Sequence, residues 1–257
     1  MLEQNKIYSA DCLGPLGMKN IPDKSIDMIL CDLPFGTTKC KWDTVIPVSP
    51  LWEQYERIIK DNGAILLFAQ TPFDKFLGSS NLKMLRYEWI WEKTAATGHL
   101  NAKKMPMKAH ENILVFYKKL PVYHPQKTQG HKQTNSFTKY LSTQNRTEIY
   151  GKATAEIKGG GEADRYPRSV INFPSDKQHC NLHPTQKPVA LCEYLIKTYS
   201  NEGDLILDNC MGSGTTAIAA LNTNRKFLGY ELDEYYFKIS EERIKAHNKQ
   251  LNLALQL

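Results

Sequence analysis

Asp204-Leu205-Ile206-Leu207-Asp208-Asn209-Cys210-Met211-Gly212-Ser213-Gly214-Thr215-Thr216 is the stretch that decides how the chain folds. An apolar run of strand length ends in an acid, a glycine-rich turn follows, and a helix begins. Glycines let the backbone come close to a ligand, and a helix N-terminus offers unpaired N–H groups. Gly212-Ser213-Gly214-Thr215-Thr216-Ala217 also satisfies the G-x-G-x-x-[GA] pattern. The next apolar run, Lys226 to Tyr230, ends at Glu231, where an acid can hold ribose hydroxyls. Strand, loop, helix, strand and acid in series point to an adenosine-containing cofactor. They do not separate S-adenosylmethionine from a nicotinamide dinucleotide.

Working outward, the same alternation continues. Lys6-Ile7-Tyr8-Ser9 reads as a short strand, and Ser25 to Cys31 as a buried parallel strand stopped by the Pro-Gly cluster at 34–36. Pro50 to Lys60 has helical spacing with Ser49 as N-cap, Asn62-Gly63 ends it, and Ala64 to Phe68 is a strand. That is a βαβ unit. Thr71-Pro72 opens another helix. Tyr87–Trp91 and Asn112–Tyr117 read as strands joined by a lysine-rich loop. Val189 to Tyr199 and Asp233 to Lys249 read as helices. From about Pro121 to Leu182 the pattern fades into polar, Gly- and Pro-containing sequence, too long for a passive loop in a compact domain. The expected organisation is a catalytic domain of residues 1–120 and 183–257, with 121–182 inserted as a recognition region.

The 257 residues suffice for one such domain. No apolar run reaches the roughly 18 residues that span a bilayer, and the N-terminus lacks a secretion profile, so a cytoplasmic location is expected. The six cysteines are scattered without a Cys-x-x-Cys, which suits free thiols in a reducing compartment. His179-Cys180-Asn181-Leu182-His183 has no partner cluster at zinc spacing, so no metal is expected. The net charge is +6, and residues 93–132 hold eight lysines against one acid, Glu111. That local excess is the footprint of a polyanion binder.

Asp32-Leu33-Pro34-Phe35 supplies the chemistry. An exocyclic amino group on a base is a poor nucleophile, because its lone pair is delocalised into the ring. Acceptors on both N–H bonds draw the nitrogen towards sp³ geometry. Asp32 can take one hydrogen and the Leu33 carbonyl the other, with Pro34 fixing the turn. Phe35 offers a stacking face. If the methyl donor is a sulfonium, positioning carries most of the rate.

These segments resemble the amino-group DNA methyltransferases. Asp32 to Phe35 is similar to their DPPY motif, with Leu and Phe substituted. Asp208 to Thr216 resembles their DPFxGSGTT motif, with Asn209 and Cys210 substituted. His183-Pro184-Thr185-Gln186-Lys187-Pro188, Ala10-Asp11-Cys12-Leu13 and Gly229-Tyr230-Glu231 resemble three further segments. The catalytic motif before the cofactor motif is the order of the permuted β-group, and the small stand-alone or prophage-type members look most alike. The resemblance implies an α/β, Rossmann-like fold, specific to S-adenosylmethionine-dependent methyltransferases, with a mostly parallel sheet and an antiparallel edge strand. It implies cofactor contacts from Asp11, Cys12, Thr185, Lys187, Asp208, Cys210, Gly212, Ser213, Gly214, Thr215 and Glu231. Thr185 and Lys187 would meet the cofactor's carboxylate, and Trp91 with Lys93 could flank the target base.

Double-stranded DNA hides its amino groups, so the target nucleotide must swing out. Lys93, Lys103, Lys104, Lys108, Lys118, Lys119 and Lys127 would meet phosphates. Arg146, Arg165, Arg168, Gln144 and Asn145 are candidates for base reading. N6 of adenine is the expected target, with N4 of cytosine as the alternative. A homodimer is compatible with the resemblance. A DNA- or cofactor-binding protein without catalysis is the rival of another class, and a nicotinamide oxidoreductase leaves the Asp32 motif unexplained.

Overall fold

The computed structural model describes residues 2–38, 40, 43–140, 156–175 and 186–254. It divides into two units, Met1–His124 with Ser169–Leu257, and Pro125–Arg168.

The larger unit is built on one eight-stranded sheet. In chain order its strands are β1 (Lys6–Ser9), β2 (Ile26–Asp32), β3 (Ile59–Ala69), β4 (Leu85–Thr97), β5 (Lys108–Phe116), β8 (Val170–Phe173), β9 (Leu205–Asp208) and β10 (Lys226–Glu231). In space the order is β1-β10-β9-β2-β3-β5-β4-β8. The expected mostly parallel sheet is present. Its reversed strand is β5, which pairs antiparallel with β3 and β4. It lies inside the edge and not on it, because β8 adds to β4 in parallel and extends the sheet.

Both faces are covered, which explains why β2 and β3 read as continuous apolar runs. Met28, Leu30, Leu66 and Phe68 point to one face, with Leu191 and Leu195 of α3 (Val189–Tyr199) and Ala217 and Ala220 of α4 (Thr215–Asn222). Ile29, Cys31, Ile65 and Leu67 point to the other, with Leu51 and Tyr55 of α1 (Val48–Ile58) and Phe73 and Leu77 of α2 (Phe73–Ser80). The closing helix α5 (Glu234–Ala254) adds Ile244 to the first face.

Two local expectations are corrected. Helix α1 starts at Val48 with Pro47 at the cap position, so Ser49 is inside the first turn and makes no capping bond. The helix also stops earlier, at Ile58, and β3 begins directly at Ile59. Asn62-Gly63 therefore lies in the strand, at a bulge where the register shifts between Ile26↔Ile59 and Met28↔Ala64. A Cβ on Gly63 would fall 2.6 Å from the Asp27 carbonyl oxygen, so the glycine serves close packing and does not terminate a helix. The missed strand β8 has only four residues at a sheet edge and is too short to carry a periodic signal.

In the smaller unit β6 (Phe137–Tyr140) and β7 (Glu156–Gly159) pair antiparallel. Thr128 and Arg165 form a bridge beside them. Gly160 and Gly161 take positive φ of 77° and 82° at the end of β7. Among the described residues no helix is long and apolar enough to cross a membrane.

Candidate active site

The chain departs from the sheet in opposite directions after β9 and after β2, which are neighbours. A crevice opens at such a reversal, beyond the carboxyl ends of the strands. Asp208 and Asp32 end those two strands, so the cofactor-type loop and the Asp32 motif meet there. Two further contacts join the halves across the seam. The Tyr55 hydroxyl, from α1, donates to Asn209 Oδ1 at 2.5 Å, and the Cys31 thiol lies in hydrogen-bonding contact with Asp208 and Cys210. Burial pushes the Asp208 carboxyl up to about 6, against bonds from Thr216, the Cys210 backbone and Cys31.

On the cofactor side, Glu231 is buried and organises the loop. Its two carboxylate oxygens accept the backbone N–H of Gly212 at 2.6 Å and of Asp233 at 2.8 Å. Burial raises its pKa against those bonds. Gly212 and Gly214 take φ of 54° and 83°, which suits glycine and little else. Arg243 of α5 donates to the Ser213 carbonyl at 3.0 Å and to the Thr215 hydroxyl at 3.1 Å, holding the loop against the first turn of α4. Asp11 follows β1, is exposed, and accepts the Leu13 N–H at 2.9 Å. Cys12 is buried beside Asn209, whose amide approaches its sulfur at 3.5 Å; burial pushes this thiol up to about 12.

On the catalytic side, Leu33 is buried, and Phe35 stacks on Phe73 with centroids 5.3 Å apart. Asp43 anchors the following loop by accepting the N–H groups of Gly36, Thr37 and Thr38 at 2.8, 2.9 and 2.6 Å. Burial alone would raise this acid, but those bonds hold it below the usual aspartate range. Three convergent donors make the loop after the motif a fixed wall.

Four charges interlock at the centre. Lys187, just ahead of α3, donates to Asp32 at 2.5 Å and lies 3.4 Å from Glu111, which pairs with Lys93 at 2.6 Å. The Lys187 ammonium also lies 5.2 Å from the Phe68 ring centroid and 5.8 Å from that of Phe35. Burial would lower Lys187, but Asp32 and Glu111 outweigh it and raise its pKa. Burial pushes Asp32 above the usual aspartate range, with Lys187 pulling against it and Glu111 adding to it. Glu111 moves down, because Lys187 and Lys93 overcome its burial. The group is neutral overall, two acids with two lysines, which is how four nearly buried charges persist.

Several expected roles take a different place. Lys187, expected at the cofactor's carboxylate, bonds to the catalytic acid. Lys93 is a partner of Glu111 and stacks over Trp91, so it does not stand out as a phosphate contact. Trp91 is a core residue whose Nε1 donates to the Phe173 carbonyl at 3.0 Å. Lys118 and Lys119 follow β5, whose reversed direction puts them at the opposite end of the sheet. There they bond to the Glu56 carbonyl and to Asp61. Lys103, Lys104 and Lys108 are exposed at the catalytic end, on the β4–β5 connection. Arg165 donates to the carbonyls of Glu162, Asp164 and Lys132, and Lys127 pairs with Glu162 and Asp164, so both hold the small unit together. Arg168 is exposed. Thr185, Gln144, Asn145 and Arg146 lie outside the described residues.

Glu111 is the residue sequence reasoning missed. The only signal was its isolation as the single acid in a lysine-rich stretch. Tyr55, Asp43 and Arg243 carried none, since each acts through a distant contact.

A family model described as DNA methylase matches residues 26–242 of the chain. The type II methyltransferase M.HpaI of Haemophilus parainfluenzae is 30% identical over 89% of this chain and 71% of its own length. The type II methyltransferase M1.MboII of Moraxella bovis is 30% identical over 92% and 95%. The DNA adenine methyltransferase YhdJ of Escherichia coli is 26% identical over 94% and 83%. Among solved structures, the M1.HpyAVI–SAM complex superposes with a TM-score of 0.62 at 22% identity, covering 93% of this chain and 98% of that one. The cytosine-N4-specific PvuII DNA methyltransferase gives 0.63 at 16%, covering 96% and 92%.

Proposed function

The chain belongs to the DNA methylase family, and from that premise we propose that it transfers a methyl group from S-adenosylmethionine to N6 of adenine in double-stranded DNA. The observation that carries this reading is that Asp32 and Asp208, which leads into the Gly212–Thr215 loop, end neighbouring strands at one topological reversal. The relative YhdJ, a DNA adenine methyltransferase, supports the choice of base. The catalytic strand preceding the cofactor strands supports placement in the permuted β-group. Residues 125–168 are proposed to read the target sequence.

The donor set suits S-adenosylmethionine. Glu231 at a strand tip fits ribose hydroxyls, Asp11 lies at the end of the neighbouring strand, and the α4 N-terminus offers positive charge for a carboxylate. When bound, the cofactor supplies an electrophilic methyl on a sulfonium. The chain's own groups do the rest. Asp32 accepts one hydrogen of the target amino group and the Leu33 carbonyl the other, which localises the nitrogen lone pair. Phe35, set by Phe73, stacks the base. Once the nitrogen has gained the methyl it carries an excess proton, and the Asp32 carboxylate is placed to receive it. A carboxyl raised by burial accepts a proton more readily than an ordinary aspartate.

The test is the identity of the methylated nucleoside. Protein, labelled S-adenosylmethionine and unmodified duplex DNA are incubated, and the digest is analysed by mass spectrometry. N6-methyladenine is expected. N4-methylcytosine would overturn the base, and no product with cofactor bound would overturn the catalytic reading.

Gly214→Val tests the loop. A Cβ there would sit 3.2 Å from Ser240 Cβ, at a φ of 83°. A left-handed residue with a side chain costs about 1–2 kcal/mol, so S-adenosylmethionine affinity should fall by about tenfold in a calorimetric titration. Unchanged affinity would remove this loop from the cofactor site.

A further inference from the structure

The connection between β4 and β5 stands beyond the catalytic end of the sheet. Its two arms pair from Trp91↔Glu111 outward to Thr97↔Lys108. At about 3.3 Å per residue, the ribbon projects roughly 10 Å past Glu111 before it turns. The turn is a compact knob. Gly98 at φ 89° leads into a short 3-10 turn over His99–Asn101. Asn101 N–H donates to the Gly98 carbonyl, and the N–H groups of Lys104 and Met105 donate to the Asn101 carbonyl.

An ordered knob normally turns apolar side chains inward, and this one turns them out. Leu100 is 96% exposed, Met105 52% and Met107 40%. One exposed leucine would mean nothing, but three large apolar residues in eight positions form a patch. Lys103, Lys104 and Lys108 are interleaved with them, and residues 98–110 contain no acid. Apolar tips among cations suit a polyanion with an apolar interior, and a base-paired duplex is both. Side chains such as Leu and Met are inserted between base steps by proteins that unstack and kink the duplex.

We propose that Leu100 is a wedge that enters the stack at the position a swung-out nucleotide vacates, while Lys103 and Lys104 hold the flanking phosphates. The inference rests on the reading that the Asp32 site acts on a base taken out of duplex DNA. It assigns the cost of opening the duplex to a residue remote from the chemistry.

A substrate that needs no wedge separates the two ideas. The site methylated by the wild-type protein is first mapped, and two oligonucleotide duplexes are made, one fully paired and one mispaired at the target adenine. Leu100→Ala should lose about tenfold or more in kcat/KM on the paired duplex and stay within about threefold of wild type on the mispaired one. Leu100→Phe should restore activity on the paired duplex. 2-Aminopurine at the target should brighten with the wild-type protein and fail to do so with Leu100→Ala. Equal activity on the paired duplex, or an equal loss on both, overturns the wedge. A change from dimer to monomer on sedimentation of Leu100→Ala also overturns it, in favour of a contact with a second copy. If the wild-type protein methylates neither duplex, it is the reading of the Asp32 site that fails.

Discussion

Asp32→Ala should reduce single-turnover methyl transfer by about two to three orders of magnitude, the usual cost of removing one preorganised polar group from a reacting centre. S-Adenosylmethionine binding should persist, because Asp32 makes no contact with the Gly212–Thr215 loop among the described interactions. The size follows from the arrangement. Leu33 contributes only its carbonyl, so Asp32 is the one charged acceptor that the motif offers. Asp32→Asn keeps the shape and loses the charge, and should be impaired nearly as much, since an amide cannot take up the proton released. The alanine variant also leaves Lys187 and Lys93 facing Glu111 alone, so melting temperature should be recorded beside activity. A loss of less than tenfold in a folded Asp32→Ala protein would remove Asp32 from the chemistry.

Lys187→Met should be the most destabilising single change at the site. It leaves Asp32 and Glu111 buried near each other without the ammonium between them. Removing one partner of a buried ion pair costs about 3–5 kcal/mol, and a protein of this size loses about 2–4 °C per kcal/mol. A drop on the order of 10 °C at pH 7 is expected. Its pH dependence has a definite sign. Asp32 already sits above its unfolded pKa, and the variant removes the ammonium that pulled it down, while Glu111 keeps Lys93; Asp32 therefore costs stability where it is ionised. That cost is present at neutral pH and above, and is relieved as pH falls through the raised Asp32 value. The gap between wild type and variant should therefore narrow from pH 7 to pH 5. Glu111→Gln added to Lys187→Met should recover part of the loss. A gap that is flat in pH would mean that Lys187 stabilises by packing against Phe35 and Phe68 alone.

What the sequence made legible follows from the range of the interactions. Strand β9, its glycine loop, α4 and Glu231 were readable because one contiguous segment contains the whole unit. Asp32 to Phe35 was readable for the same reason. The Asp32–Lys187–Glu111–Lys93 group was not, since its members are up to 155 residues apart and only the antiparallel course of β5 brings Glu111 to the catalytic end. The same reversal misled the reading of the lysines. Lys108 and Lys118 belong to one basic stretch but sit at opposite ends of one strand. Charge counting along the chain has no means of seeing that, and strand direction decides it.

The far edge of the sheet has a consequence for how the protein is made. Among the described residues strand β1 pairs only with β10, Lys6 against Leu228 and Ser9 against Glu231, and Asn5 is bonded to Phe227, 222 residues away. During synthesis β1 leaves the ribosome well ahead of β10 and waits for the 222 residues that separate Asn5 from Phe227. Closing so long a loop is entropically costly and slow. Asp11 and Glu231 come together only at that closure, whereas Asp32 can already be in place on β2 and β3. Chains that stop short of β10 would thus present an open edge on β9, an unpaired β1 and no methyl-donor site, and the ability to modify DNA would switch on only when translation passes β10.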